Sequence, residues 1–390
     1  MGAHSAKHLR GVRIIVTGGG TGGHTYPALT TIRELRARFA EAGTGVQFLW
    51  VGVAHGLEAR ICREEHIPFR AITTGKLRRS PTPRELAKNV ADAFRIPLGV
   101  LQAFGIVARV RPDVVLSTGG YVCVPIGVAA WAFRRPLVMH EQIATLGLAN
   151  RILARLATKV LLSHESSVEH LPARARRRAV VTGNPIRPEV LAGDRNRGLT
   201  SWGPDAQPPL VLVTGGATGA MQINDLVARI LPDVLPHCYL LHQSGEYGFA
   251  KAREAAASLP APLAGRYRVV DFIHGDMPDV LAAADVVVGR SGASTVAELT
   301  GLGKACILIP LVPTGGDEQR RTARHLTEAG AARMLTGSDA TPGRLRDELL
   351  ELLKNPEERT TMAARAREHG KPDAAARVAD ELMTAIRKHR

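Results

Sequence analysis

Two glycine-rich runs, each set directly behind a short apolar run, constrain this chain more than any other feature. The first is RIIVTGGGTGGHTYPAL, Arg13–Leu29, and the second is VLVTGGATGAMQIN, Val211–Asn224. The β-branched residues suit a buried strand, and the glycines let the backbone turn sharply into a following helix. Around both runs the same alternation continues. VQFLWVG, DVVLSTGG, PLVMHEQ, KVLLS and AVVTGNP follow in the first half, and CYLLHQSG, YRVVDFI, DVVVGRSG and ACILIPL in the second. Short strands separated by helical stretches imply parallel sheets with crossover helices. The expected fold class is α/β, with two doubly wound, Rossmann-like domains facing a central cleft. The boundary falls near Thr182–Gly198, a proline- and charge-rich stretch, giving domains 1–184 and 185–373. The final amphipathic segment, about 374–390, has no strand after it; it could cap either domain and is given to the first. The first helix is expected from about Pro27 to Ala42.

Composition narrows the partners. The 390 residues exceed one ordinary core. The formal charge is +15, with 51 Lys and Arg, yet aromatics are only 4%. Proteins that stack bases place aromatics among their basic residues, so nucleic acid is not expected. Attraction to phosphates or to an anionic membrane surface remains, as does a merely solvated basic surface. Cys62, Cys123, Cys238 and Cys306 lie far apart and read as reduced, buried thiols in a cytoplasmic protein, with no metal site. The opening MGAHSAKHLRGVR lacks the apolar stretch of a secretory leader. No run reaches the roughly 18 apolar residues of a spanning helix. The segment FRIPLGVLQAFGIVARV, Phe94–Val110, flanked by Arg95, Arg109 and Arg111 and preceded by KLRR, reads either as an interfacial membrane helix or as a core crossover helix.

The glycine runs suit anions, because helix-start amides and the helix dipole face a site with no side chains in the way. A dinucleotide fold would want an acidic residue about 20 residues further on, at the tip of the next strand. The first half ends that strand in WVGVAHG and the second in LLHQSGEYG, and a P-loop GK[ST] is absent. Oxidoreductase and NTPase readings are therefore set aside. One loop holding a nucleotide diphosphate and the other an anionic acceptor fits better. His24, just after the first loop, is placed to take a proton from a hydroxyl.

The motifs GGGTGGHTYPAL, PDVVLSTGGYVCVP, HEQ…GLANR, TGNPIR, VTGGATGAMQIND, DVVVGRSGASTVAEL and IPLVPTGGDEQRRTA run in order along nearly the whole chain. Together they resemble the MurG family of bacterial GlcNAc transferases, and TGKLRRS fits one branch of it. The resemblance implies a GT-B fold, UDP-GlcNAc as donor, a lipid-linked muramyl-peptide acceptor, an inverting reaction and neither cofactor nor metal. It implies that Glu298 accepts the ribose hydroxyls, that backbone around Ala293 and Ile273 holds the uracil, and that Gln319 meets sugar hydroxyls. Ser291 and Thr295 would face the diphosphate, Arg290 would sit near phosphates or a structural carboxylate, and Gly215, Gly216, Ala217, Gly219, Asn224 and Thr322 would complete the donor side. On the acceptor side stand Gly19, Thr21, Gly22, Gly23, Tyr121, Ile143 and Asn150, with His24 as base and Glu141 as the alternative base. A peripheral place on the inner face of the cell membrane follows.

Three positions depart from the family pattern. Ile143 replaces an amide or carboxylate after HEQ, Ala217 replaces a serine after Gly-Gly, and Thr322 replaces an asparagine beyond DEQ. A lost buried hydrogen bond costs about 1–3 kcal/mol. The departures keep open a relative that uses another UDP-sugar or a natural-product acceptor, or an inactive UDP-sugar-binding protein.

Overall fold

The computed structural model describes residues 11–75, 83–202, 209–311 and 317–390, without the side chains of 83–94. The chain divides into two units, Met1–Pro185 together with Asp373–Arg390, and Ile186–Pro372. The first unit is built on β1 Val12–Thr17, β2 Val46–Gly52, β3 Phe69–Ala71, β4 Val114–Ser117, β5 Leu137–Glu141, β6 Lys159–Leu162 and β7 Ala179–Val181. These pair in the order β3-β2-β1-β4-β5-β6-β7. The second unit uses β8 Leu210–Thr214, β9 Tyr239–Gln243, β10 Tyr267–Val270, β11 Val286–Gly289, β12 Ala305–Leu308 and β13 Arg333–Met334, in the order β10-β9-β8-β11-β12-β13. Every strand pair in both sheets is parallel.

Burial on both faces explains the continuous apolar runs. In β1, Val12, Ile14 and Val16 enter one core layer, while Ile15 enters the layer on the opposite face. The second sheet repeats this: Val211 and Val213 point one way, Leu210 and Leu212 the other. Such strands need helices on both sides, which the crossovers supply. The edge strands β3 and β13 are three and two residues long, each carrying an arginine, and the sequence reading omits both. All four cysteines are buried and unpaired. Burial pushes the Cys62, Cys238 and Cys306 thiols up to about 12, which keeps them protonated and unreactive.

Two local outcomes matter for the site. The first long helix is Gly22–Glu41 and starts five residues before the expected Pro27, which lies inside it. Proline at this sixth helical position removes the i→i−4 bond to the Gly23 carbonyl and crowds that carbonyl. Gly22, Gly23 and His24 therefore belong to the first helical turn, while Gly18–Gly20 form the loop before it. The last helix, Ala374–His389, packs on the first unit, with Val378, Ala379, Leu382, Ala385 and Ile386 entering the β1 and β2 core layer. Lys159–Glu381 at 3.0 Å and Arg390–Asp113 at 3.2 Å tie its polar side.

This docking is directly measurable. Leu382 is fully buried (0% exposed), so Leu382→Ala should cost about 2–5 kcal/mol. Denaturant unfolding followed by site-specific probes should show the loss in the first unit's transition, with the second unit's midpoint unmoved.

Candidate active site

In each sheet the strand order reverses between two neighbours, β1 and β4 in the first unit, β8 and β11 in the second. Ligands of open parallel sheets lie outside the carboxyl ends of such pairs. Both glycine runs leave the sheet at these points.

In the first unit, Gly18–Gly20 leave β1 and the SerThrGlyGlyTyr turn, 117–121, leaves β4. Gly119 and Gly120 take φ of +103° and +91°. A Cβ on Gly119 would lie 2.9 Å from the His24 ring and 3.3 Å from the Asn150 amide, and one on Gly120 would lie 2.7 Å from the Gly19 carbonyl. The two turns thus close on each other through backbone alone, and they bring His24, Gly19, Tyr121 and Asn150 together. His24 is half-buried, and its Nδ1 lies 3.0 Å from Gln142 Oε1. Thr21 is exposed at the helix start. The Gly22 and Gly23 amides fall in the first helical turn, where backbone donors have no partner within the helix.

Beneath the first glycine run sits a residue the sequence reading passed over. Glu58 is fully buried (0% exposed), and its carboxylate accepts from the Gly20 amide at 3.3 Å and the Val53 amide at 3.0 Å. Any Cβ on Gly19, Gly52 or Gly56 would strike Glu58. The glycines here make room for a carboxylate, and the Gly20 amide is spent on it instead of facing an incoming anion. No local signal links Glu58 to a loop 38 residues earlier.

Glu141, the expected alternative base, is enclosed by hydrogen bonds. It is 1% exposed and both oxygens are engaged: Oε1 by the Ile143 amide at 3.3 Å, Oε2 by the Gly147 amide at 3.3 Å and Asn150 Nδ2 at 2.9 Å. Burial raises its pKa to about 7 against these bonds. It holds the loop between β5 and helix Leu148–Leu156. Asn150 is its partner and keeps a buried Oδ1 without one. Ile143 is half-buried at the same turn.

In the second unit, Gly216 and Gly219 adopt φ of +85° and +77°. Thr214 Oγ1 accepts the Gly216 amide at 3.1 Å, and the Gly219 amide bonds the Gly216 carbonyl at 3.1 Å. Ala217 and Thr218 stand exposed at the tip, with Gly215 half-buried at the loop's root. Asn224, expected on the donor side, is held within the fold. It is buried, donating from Nδ2 to the Ser244 carbonyl at 2.9 Å and accepting from His242 Nε2 at 3.0 Å, while His242 Nδ1 meets Tyr267 Oη at 2.8 Å. Burial lowers the His242 pKa to about 4, so this chain is neutral scaffolding behind the loop.

From β11 the chain runs through Arg290, Ser291 and Gly292 into helix Ala293–Leu302. Ala293 and Thr295 are half-buried in its first turn, where the amides point out of the helix. Ser294, not singled out from sequence, has a buried hydroxyl with no hydrogen-bond partner among the described residues. Glu298 lies further along the same helix and receives Arg187 Nε at 3.1 Å and Nη2 at 2.9 Å, both on Oε1. Burial raises the Glu298 pKa and Arg187 opposes that rise. TGNPIR therefore contributes Arg187, a role not read from the sequence.

Four expected donor contacts are used otherwise. Ser291 is buried and donates to the Gln319 carbonyl at 2.9 Å. Thr322 is buried with its hydroxyl turned back to the Glu318 carbonyl at 3.0 Å, as helical threonines do. The Ile273 amide donates to Gln243 Oε1 at 2.9 Å. Among the described residues Arg290 meets no carboxylate; it donates to Gln222 Oε1 at 3.0 Å and the Ile309 carbonyl at 2.9 Å. Gln319 is half-buried, and its Oε1 accepts the Leu311 amide at 3.0 Å. Exposed Phe272 stands beside Ile273, its ring against His274. Among the described residues no group of three or more His, Cys, Asp or Glu is arranged to hold a metal ion.

This arrangement has relatives. Residues 14–162 match the glycosyltransferase family 28 N-terminal domain and residues 210–378 the glycosyltransferase family 28 C-terminal domain. A Bacillus cereus protein named UDP-N-acetylglucosamine–N-acetylmuramyl-(pentapeptide) pyrophosphoryl-undecaprenol N-acetylglucosamine transferase 1 is 35% identical over 97% of this chain and 100% of its own. The crystal structure of Acinetobacter baumannii MurG superposes with a TM-score of 0.72 at 28% identity, covering 96% of this chain and 99% of that one. The glycosyltransferase of kitacinnamycin shares the fold, with a TM-score of 0.66 at 19% identity over 96% of this chain and 100% of that one. Two Rossmann-like domains of the GT-B type, matched in order over nearly the whole length, establish that the chain belongs to glycosyltransferase family 28.

Proposed function

We propose that this glycosyltransferase moves GlcNAc from UDP-GlcNAc to an N-acetylmuramyl-pentapeptide carried on pyrophosphoryl-undecaprenol, with inversion at the anomeric carbon. The observation that carries the donor side is the spacing along helix Ala293–Leu302. Its outward amides suit a diphosphate, and Glu298 lies five residues on, about 7.5 Å along the axis, where a ribose diol would follow. On this reading Glu298 Oε2 accepts the diol while Arg187, on Oε1, opposes the rise that burial gives its pKa. Exposed Phe272 offers a face for the uracil ring. The helix amides stabilise charge on the departing UDP, and the reaction calls for no bound metal. His24 in the first unit removes the acceptor hydroxyl's proton as its oxygen attacks the anomeric carbon. Glu141 shapes the acceptor loop and takes no proton.

A transfer assay with UDP-GlcNAc and a lipid-linked muramyl-pentapeptide tests the reading. His24→Ala should lower kcat by roughly 100-fold or more, with UDP binding by calorimetry retained; near-normal turnover would remove His24 as base. The departures at Ile143, Ala217 and Thr322 favour a second reading in which the sugar differs, so the assay includes other UDP-sugars. A higher kcat/KM with one of them would assign that donor instead. Loss of a charge-assisted bond costs about 1.5–3 kcal/mol. Glu298→Ala should accordingly raise the KM for the UDP-sugar by about 10- to 100-fold, and an unchanged KM would take the ribose away from Glu298.

We also infer peripheral attachment to an anionic membrane. No described helix is long and apolar enough to cross a bilayer. Ile96, Leu98 and Leu101 are nonetheless exposed on helix Pro83–Val110, and Trp131 and Phe133 are exposed at the end of helix Cys123–Ala132. The Phe104 and Phe133 rings, 5.6 Å apart, join the two groups. Arg95, Arg109, Arg111 and Arg134 are exposed on the same two helices and the turns that end them. Lys76–Arg79 and the Phe94 side chain fall outside the described residues. Such a basic-rimmed apolar face suits an interface. Cosedimentation with phosphatidylglycerol vesicles should capture the protein, and Leu98→Glu with Leu101→Glu should release it; equal binding by both forms would refute the attachment.

A further inference from the structure

Gln142 takes no part in the account so far, although it is 2% exposed and touches the proposed base. We propose that Gln142 is a positioning residue that fixes the proton of His24 on Nδ1, leaving the lone pair of Nε2 as the base. This rests on the reading of His24 given above.

Gln142 Nε2 lies 2.8 Å from the Thr118 carbonyl and 3.4 Å from the His140 carbonyl. Carbonyl oxygens only accept, so this end of the amide must be the NH2 group. Flipping the amide would press its oxygen against both carbonyls. The other end, Oε1, therefore faces His24 Nδ1 at 3.0 Å. An amide oxygen only accepts, so Nδ1 donates and carries the hydrogen. A neutral imidazole has a single N–H, and Nε2 is then the basic nitrogen.

The far side of the chain agrees. His140 Nε2 lies 2.9 Å from the Gly183 carbonyl and must donate to it, which leaves His140 Nδ1 to accept from Gln142 Nε2 at 3.0 Å. Burial lowers the His140 pKa to about 4, which keeps this link neutral. One direction of donation runs from His24 into Gln142, and another from Gln142 through His140 to a fixed carbonyl. The β5 strand supplies His140 and the turn beyond it supplies Gln142, so the lock is part of the sheet.

The arrangement parallels a catalytic triad with an amide where a carboxylate would stand. An amide orients the ring without adding negative charge. In the transfer step, the acceptor O–H bond breaks and its proton goes to His24 Nε2. The oxygen forms the new bond to the anomeric carbon, and the bond from that carbon to the diphosphate oxygen breaks, its electron pair leaving with UDP. His24 later returns the proton to solvent.

Two-bond 1H–15N spectra of histidine-labelled full-length protein report the tautomer, with the His24 signals assigned by their loss in His24→Ala. The wild type should show His24 protonated on Nδ1. Gln142→Met, similar in length but without hydrogen bonds, should abolish that preference and lower kcat by roughly 10- to 100-fold, with the UDP-sugar KM within about twofold of wild type. Gln142→Glu keeps an oxygen facing Nδ1 and should retain the tautomer even where activity falls. Wild-type His24 protonated on Nε2, a Gln142→Met protein that keeps the Nδ1 proton, or one that loses it without loss of kcat would each overturn the proposal. Full turnover by His24→Ala would instead overturn the parent reading, whatever tautomer is found.

Discussion

Parallel strands finish at one edge of their sheet, and where the strand order reverses two loops leave that edge side by side. Each must approach the other closely while leaving its amides accessible, and only backbone fits. Gly119 and Gly120 satisfy this in the first unit with positive φ and near-contact with His24 and Gly19. In the second unit the same close approach joins the loops after β8 and β9, beside the reversal: a Cβ on Gly219 would strike the Ser244 carbonyl and one on Gly245 the Thr218 carbonyl. The two crevices then diverge in what lies beneath. A buried carboxylate, Glu58, backs the first loop; a neutral Asn224–His242–Tyr267 chain backs the second.

The apolar strand runs, the glycine turns and the change of unit near Pro185 were legible because each rests on local chemistry. What escaped was either broken by a charge or too remote. β3, PheArgAla, and β13, ArgMet, carry an arginine where an apolar run would be read, unlike the similarly short AlaValVal of β7. Pro27 looked like a helix start, yet the amides of the preceding turn were free to form helix without it. Polar residues beside the motifs were read as ligand contacts, but Asn224, Ser291 and Thr322 face inward. Asn224 and Ser291 bond backbone carbonyls 20 and 28 positions away, which only the folded chain brings near, and Thr322 turns back to the carbonyl one helical turn earlier. Glu58 and Arg187 were missed for the converse reason. Their partners lie 38 and 111 positions away in sequence.

Both units bury a neutral histidine against a side-chain amide, His140 with Gln142 and His242 with Asn224. Each has a pKa lowered to about 4 by burial. The unfolded chain takes up protons at these sites below about pH 6.5, whereas the folded chain does so only near 4. Each pair therefore contributes its full stability above about 6.5 and loses it progressively as pH falls toward 4. Neutral hydrogen-bonded rings give fixed directions of donation that charged ones would blur, at the expense of acid tolerance.

The docking of helix Ala374–His389 on the first unit means that the second unit is, in chain order, an insertion. Strands β1 to β7 emerge from the ribosome first, but Val378, Leu382 and Ile386, which close the layer over β1 and β2, come out only after all of Ile186–Pro372. The half that is translated first is thus completed last, with an apolar face awaiting its cover throughout synthesis.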